Sequence, residues 1–152
     1  DTLRDAGIDP DPDLELEGGF TLEGGTTAGH RLLALSPRPT AVFCASDEMA
    51  FGVLRAARRE GLRVPEDLSV VGVDDHEMAA LFDLTTMRQP VLDQGRVAAQ
   101  HVLRLMDPRQ DAEATDHVEL ATELVVRSTT GPAPGGAAQG AHREGATVGV
   151  ER

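Results

Sequence analysis

Hydrophobic and polar positions along this chain change period several times, and each period predicts an element. Leu3 to Ala6 reads as the end of a helix, stopped by Gly7 where a left-handed residue is wanted. Asp9-Pro10-Asp11-Pro12 is a stiff turn, since proline fixes φ and aspartate favours turn geometry. Leu14-Glu15-Leu16-Glu17 alternates with period two and predicts a strand. Gly18-Gly19-Phe20-Thr21 breaks that strand. A helix from about Leu22 to Leu35 follows and ends at Ser36-Pro37-Arg38-Pro39.

The next stretch is the most informative. Thr40 to Ala45 is short enough for a strand and lacks alternation, the pattern expected when both faces are covered. Ser46 then caps a helix whose first turn holds Asp47 and Glu48, charges suited to the positive end of the helix dipole. Met49, Val53, Leu54 and Ala57 repeat at helical spacing, Arg55, Arg58 and Arg59 load the far end, and Gly61 stops the helix. A second buried strand, Ser69 to Val73, ends in Asp74-Asp75. Strand, helix and strand in this order predict a right-handed parallel crossover, hence an α/β fold on a parallel sheet.

Beyond it, His76 to Phe82 reads as a short helical connector, Leu84 to Met87 as a strand and Arg88-Gln89-Pro90 as a loop. Leu92 to Met106 is amphipathic, with Leu92, Ala99, Val102, Leu103 and Met106 on one face, and Asp107-Pro108 closes it. Val118, Leu120, Thr122, Leu124 and Val126 alternate over a final long strand. From Gly131 to Arg152, Gly, Ala, Pro and Gln dominate and predict a disordered tail.

Charge narrows the function. With 26 acidic against 14 basic residues the net charge is -12, which argues against a nucleic-acid or anionic-membrane surface on this stretch. All 14 basic residues are arginine. The absence of lysine removes Schiff-base chemistry, a P-loop and lysine-dependent phospho-aspartate sites. The single cysteine, Cys44, lies in an apolar run and reads as a buried thiol in a reducing compartment. No run approaches the ~18 apolar residues of a membrane span. The chain starts at Asp1 rather than Met and enters directly into helix, so a piece of a longer polypeptide is expected.

In an open parallel sheet, ligands sit at the carboxyl ends of strands, where helix N-termini also point. Phe20, Ser46 with Asp47, and Asp74 with Asp75 follow the three predicted strands. An aromatic face stacks on the C–H side of a sugar ring, and a carboxylate accepts from two neighbouring hydroxyls, each such bond contributing roughly 1.5–3 kcal/mol when desolvated. The set suits a small polyhydroxy ligand. Plainer roles stand beside this: Phe20 as a core aromatic, Asp47 as a helix-start charge, Asp75 as a turn residue. Catalysis and metal binding find less support. Asp74-Asp75-His76 sits in a turn, where adjacent side chains rarely converge on one ion, so no metal is expected. There is no Gly-x-Ser-x-Gly elbow and no Gly-x-Gly-x-x-Gly dinucleotide loop.

Three motifs, in this order and at these spacings, resemble LacI/GalR-family transcriptional regulators. They are Ala45-Ser46-Asp47-Glu48-Met49-Ala50-Phe51-Gly52, then Gly61 through Asp75, then Leu84-Thr85-Thr86-Met87-Arg88-Gln89-Pro90. The segment Glu17 to Thr21 is similar to the one whose aromatic stacks on the effector, and Glu123 to Thr130 is similar to the closing strand. The resemblance covers about Leu3 to Pro132. It implies a type I periplasmic-binding-protein-like fold of two parallel-sheet lobes joined by three crossing segments. Residues 1–130 would be the C-terminal part of the effector (sugar)-binding domain, an incomplete lobe, and 131–152 a disordered tail.

By the same resemblance Phe20, Ser46, Asp47, Asp74 and, more weakly, Asp75 would contact a sugar-like effector. Met49, Phe51, Val53 and Leu81 would supply apolar contacts of a homodimer. Ser46 stands where many members have asparagine and Gly19 where many have aspartate, each removing a polar contact. Operator DNA would be read only through a helix-turn-helix upstream of Asp1, and Leu92 to Met106 would belong to the other lobe. The expectation is a cytoplasmic sensor with no catalytic activity, no cofactor and no membrane association. A sugar receptor of a transporter shares the fold and is the alternative. A magnesium-dependent phosphatase using Asp47 is a third reading.

Overall fold

The computed structural model describes residues 2–106 and 117–133. A four-stranded sheet runs in the order β1 (Ala41–Phe43), β2 (Ser69–Asp74), β3 (Thr85–Arg88), β4 (Glu123–Val125). The first three strands are parallel and β4 is antiparallel to β3, with Arg88 opposite Glu123. Helices α1 (Thr2–Asp5), α2 (Leu22–Leu33), α3 (Asp47–Arg59) and α4 (Val91–Leu105) complete the description. The predicted crossover is present as β1, α3, β2. Gly7 and Gly61 take φ of +75° and +72° just past their helices, as the stop signals required.

The core forms where the apolar stripe of α3 meets one face of the sheet. Ala50, Phe51, Val53, Ala56 and Ala57 pack with Leu33, Cys44, Leu68, Val70, Ala79 and Leu84. Leu68 and Leu84 are fully buried, and burial of that kind contributes about 1.5–3 kcal/mol per side chain. α2 lies close against α3 because glycine meets backbone at both sides of the contact. A Cβ on Gly25 would collide with the Met49 backbone, and one on Gly52 with the Leu22 carbonyl and the Thr26 amide.

Residues after β4 stitch the sheet from its other end. The Thr129 hydroxyl donates to the Val70 carbonyl at 2.8 Å and accepts from the Thr85 amide at 2.9 Å. The Val70 amide donates to the Thr129 carbonyl, and the Gly131 amide to the Ser69 hydroxyl.

Several expectations are corrected. Leu14 to Glu17 forms no strand: Pro12–Leu14 is a 3-10 turn and the extended residues after it join no ladder. Alternation specifies an extended backbone, whereas a strand also needs a partner edge. Here Leu14 and Leu16 instead line a groove of about 430 Å³ with Leu3, Val42 and Phe43 of the edge strand β1. Thr40 to Ala45 is not covered on both faces, since the helical layer lies on one side and Phe43 is 69% exposed on the other. His76 to Phe82 is a run of turns rather than a helix, closed by bonds such as Ala79 N–H to the His76 carbonyl.

The long final strand shortens to Glu123–Val125, because its partner β3 offers only four residues for pairing. α4 forms as predicted, yet none of its residues is buried and Leu92 is 91% exposed. The Asp107-Pro108 stop and most of the predicted tail, residues 134–152, lie outside the described residues.

Candidate functional site

Parallel pairing brings the carboxyl ends of β1, β2 and β3 to one rim. Ser46 and Asp47 follow β1, Asp74 closes β2, and Gln89 follows β3. α2 starts beside the same rim: Thr21 caps it by accepting from the Gly24 amide at 3.0 Å, and Gly18 lies against Met49 in the first turn of α3. The turn before α2 puts Phe20 in a left-handed conformation, φ +54°, with its ring 65% exposed.

Asp74 is half-buried and also left-handed, φ +127°, and Asp75 follows at φ +55°. Such backbone states cost on the order of 1–3 kcal/mol each in a non-glycine residue and persist only where the surroundings enforce them. Asp74 Oδ1 accepts from Gln89 Nε2 at 2.8 Å, so a carboxylate and a carboxamide stand together at the rim. Asp75 is engaged by protein. Its Oδ2 accepts from Arg88 Nε and its Oδ1 from an Arg127 guanidinium nitrogen, each at 2.7 Å. Arg88 reaches on to Glu123 at 2.8 Å, and Arg127 donates to the Leu84 carbonyl. Burial works to raise the Asp75 carboxyl, and the two guanidinium partners overcome it and hold the group below the usual carboxylate range.

Ser46 and Asp47 occupy places other than an open ligand surface. The Ser46 side chain is buried and accepts from the Met49 amide at 3.3 Å, the helix cap its position predicted. Asp47 is fully buried beneath the rim. Its Oδ1 accepts from the Thr86 hydroxyl at 2.5 Å and its Oδ2 from the His76 amide at 2.7 Å. Gly72 makes room for this carboxylate, because a Cβ there would collide with Oδ1. Burial pushes the Asp47 carboxyl above its ordinary range, against the Thr86 and His76 bonds, and the charges of Asp74 and Asp75 push it the same way. Burial, with the Asp47 charge adding to it, pushes the nearby Cys44 thiol up to about 12, which keeps it protonated at neutral pH.

The residues expected at a dimer surface divide. Met49 lies against Gly18 and Gly25 and Val53 against Gly29, inside the α2–α3 contact and away from the outer surface. Phe51 is buried under Phe82, ring centroids 4.8 Å apart, with the His76 ring edge-on at 6.3 Å. Leu81 is 75% exposed. The outer side of α3 instead carries a concavity of about 470 Å³ floored by Leu22, Phe51, Leu54 and Phe82 and edged by Arg55, Arg58 and Arg59. Helical spacing alone could not tell which of the two apolar sides of α3 meets α2. Gly52, on α3 itself and against the α2 backbone, carried that signal.

Gln89, Arg88, Arg127 and Thr86 were absent from the expected site. The signal for Gln89 was available, since parallel pairing of the third and fourth sequence strands places the residue after Met87-Arg88 beside Asp74. Arg127 acts through a contact 52 residues away in the sequence, which spacing does not encode.

Known proteins resemble this arrangement. The profile of the family described as "Periplasmic binding protein-like domain" matches residues 1–130. The HTH-type transcriptional repressor CytR of Escherichia coli (strain K12) is 43% identical over 135 residues, covering 87% of this chain and 39% of the repressor. Among solved structures, the transcriptional regulator CelR–cellobiose complex aligns with a TM-score of 0.71 at 37% identity, covering 84% of this chain and 39% of that one. A LacI family transcriptional regulator from Enterococcus faecium with bound ribose aligns with a TM-score of 0.67 at 31% identity, covering 78% and 43%. The chain spans about two fifths of the length of the curated relatives it matches. With its parallel sheet, its polar rim and these matches, the chain belongs to the periplasmic binding protein-like domain family and is homologous to LacI-family transcriptional repressors.

Proposed function

We propose that this chain is the C-terminal part of the effector-binding domain of a cytoplasmic transcriptional regulator that senses a small sugar-like molecule and catalyses no reaction. The observation that carries this reading is the rim itself, where a half-buried carboxylate, Asp74, stands with the Gln89 amide at the ends of parallel strands. Asp74 accepts from ligand hydroxyls, Gln89 offers both a donor and an acceptor, and the exposed Phe20 ring covers the apolar face of the sugar. Ser46, Asp47 and Asp75, occupied by Met49, Thr86 and His76, and the two arginines, shape the rim from behind. The solved structures of similar regulators with cellobiose and with ribose support the ligand class.

The same reading includes a homodimer and, in the whole protein, a helix-turn-helix that reads operator DNA. The concavity of Leu22, Phe51, Leu54 and Phe82, with exposed Leu81 on the same connector as Phe82, supports the dimer surface. Ligand bound at the rim favours one closure of the domain, and the closed population presents the DNA-binding heads differently. Asp74→Ala in the intact protein is expected to abolish the effector response while operator binding persists, measured by operator-fragment titration with and without ribose or cellobiose. A normal induction curve in that variant would remove Asp74 from the site.

A further inference from the structure

Resting on the sugar-rim reading above, we infer that Thr86 and Asp47 form a buried relay that aims Asp74, making both of them positioning residues rather than ligand contacts. The turn that carries Asp74 needs outside help to exist: two consecutive non-glycine residues hold positive φ, +127° at Asp74 and +55° at Asp75. Each of the two amides that follow Asp74 is held from below. The Asp75 amide donates to the Thr86 hydroxyl at 3.3 Å, and the same hydroxyl donates its proton to Asp47 Oδ1 at 2.5 Å. The His76 amide donates directly to Asp47 Oδ2 at 2.7 Å. One carboxylate thus fixes two successive backbone N–H groups, one directly and one through a hydroxyl.

The relay is rigid because its members belong to the packed part of the fold. Asp47 and Thr86 are fully buried, Asp47 starts α3 just after its Ser46 cap, and Thr86 is the second residue of β3. Space for the carboxylate is reserved by Gly72, two residues before Asp74 on the same strand, where any Cβ would strike Asp47 Oδ1. The polar groups of this layer are all satisfied, leaving no buried side-chain nitrogen or oxygen without a partner among the described residues. A hydroxyl in the middle of a buried strand is otherwise a poor choice against valine, and its use here follows from having to accept from one group and donate to another.

The test compares Thr86→Val, which keeps shape and removes the hydroxyl, with Thr86→Ser, which keeps the hydroxyl. Ribose and cellobiose binding by the intact protein is measured calorimetrically, and exchange of the Asp75 and His76 amides is followed by NMR. Thr86→Val is expected to weaken binding at least about tenfold and to speed exchange at Asp75, with Val70 and Val71 in β2 unchanged. Thr86→Ser is expected to stay within about twofold of the parent in both readouts. Parent-like binding and exchange in Thr86→Val would overturn the relay. So would wild-type Asp75 and His76 amides exchanging as fast as exposed Glu77, a measurement that needs no variant to fold. Failure of the unmodified protein to bind either sugar would count against the ligand reading instead, and the relay would then be decided by the exchange data alone.

Discussion

Helices α3 and α4 are written in the same way and end in opposite environments. Each is amphipathic, each begins next to a strand end, and each carries several large apolar residues. Seven residues of α3 are buried, from Asp47 to Ala57, and none of α4 is. The difference lies outside the helices. α3 has α2 at contact distance and β2 beneath it, whereas the stripe of α4 meets no surface among the described residues. An amphipathic pattern states that a helix requires a covering layer. It does not supply the layer.

Substitutions in and beneath the two helices separate these environments. The largest effect is expected on the α3 side: Leu84→Ala opens a cavity in the core that α3 shares with the sheet and should cost about 2–5 kcal/mol in urea unfolding. A loss below about 1 kcal/mol would mean that this layer is loosely packed. An intermediate effect is expected from the two carboxylates beside α3, which act in different pH windows. The folded-state pKa of Asp47 is raised, so its contribution is greatest below the ordinary carboxylate value and falls away as pH climbs through the raised value. Asp75 has a lowered folded-state pKa, so its contribution is present above the ordinary value and is lost as pH falls through the depressed one.

Asp47→Asn should therefore flatten the stability profile in the weakly acidic range and Asp75→Asn in the strongly acidic range. Unfolding curves collected at a series of pH values check both, and the two variants changing the same limb would contradict the assignment. The smallest effect belongs to α4, where Leu103→Ala should change stability by less than about 0.5 kcal/mol because the side chain is exposed. A cost comparable to that of Leu84→Ala would show that α4 is packed against something in solution.

What could be read in the sequence follows the same division. The crossover of β1, α3 and β2 was legible because its signals are local and agree with one another: Ser46 as cap, Gly61 as stop, and two apolar runs of strand length. Apart from the connector His76 to Phe82, which is a run of turns, the failures concern partners. Among the described residues Leu14 to Glu17 alternates without joining an edge, Thr40 to Ala45 leaves Phe43 exposed on its outer face, and the last strand keeps only the three residues that pair with β3. The site divides likewise. Asp74 closes β2 at the rim, where a strand-end reading puts it, whereas Phe20 follows no strand and is set by the turn before α2.

Asp47 shares the spacing of a ligand contact but is turned inward, where the glycine at position 72 leaves room for its carboxylate and the His76 amide and Thr86 hydroxyl donate to it. Nothing in the spacing of Asp47 alone distinguishes the two orientations. Thr86 and Arg127 were invisible for a related reason. Their roles depend on pairings 11 to 52 residues distant, made only after the sheet has assembled.

The stitching of Thr129 and Gly131 onto Val70 and Ser69 has a practical corollary for anyone handling the protein. It directs the backbone out at the foot of the sheet, on the side away from Asp74 and Phe20. Affinity handles, fluorophores or fused reporters added after Pro132 would start from the end of the sheet opposite Asp74. Trimming back past Thr129 would instead unfasten the two central strands from below.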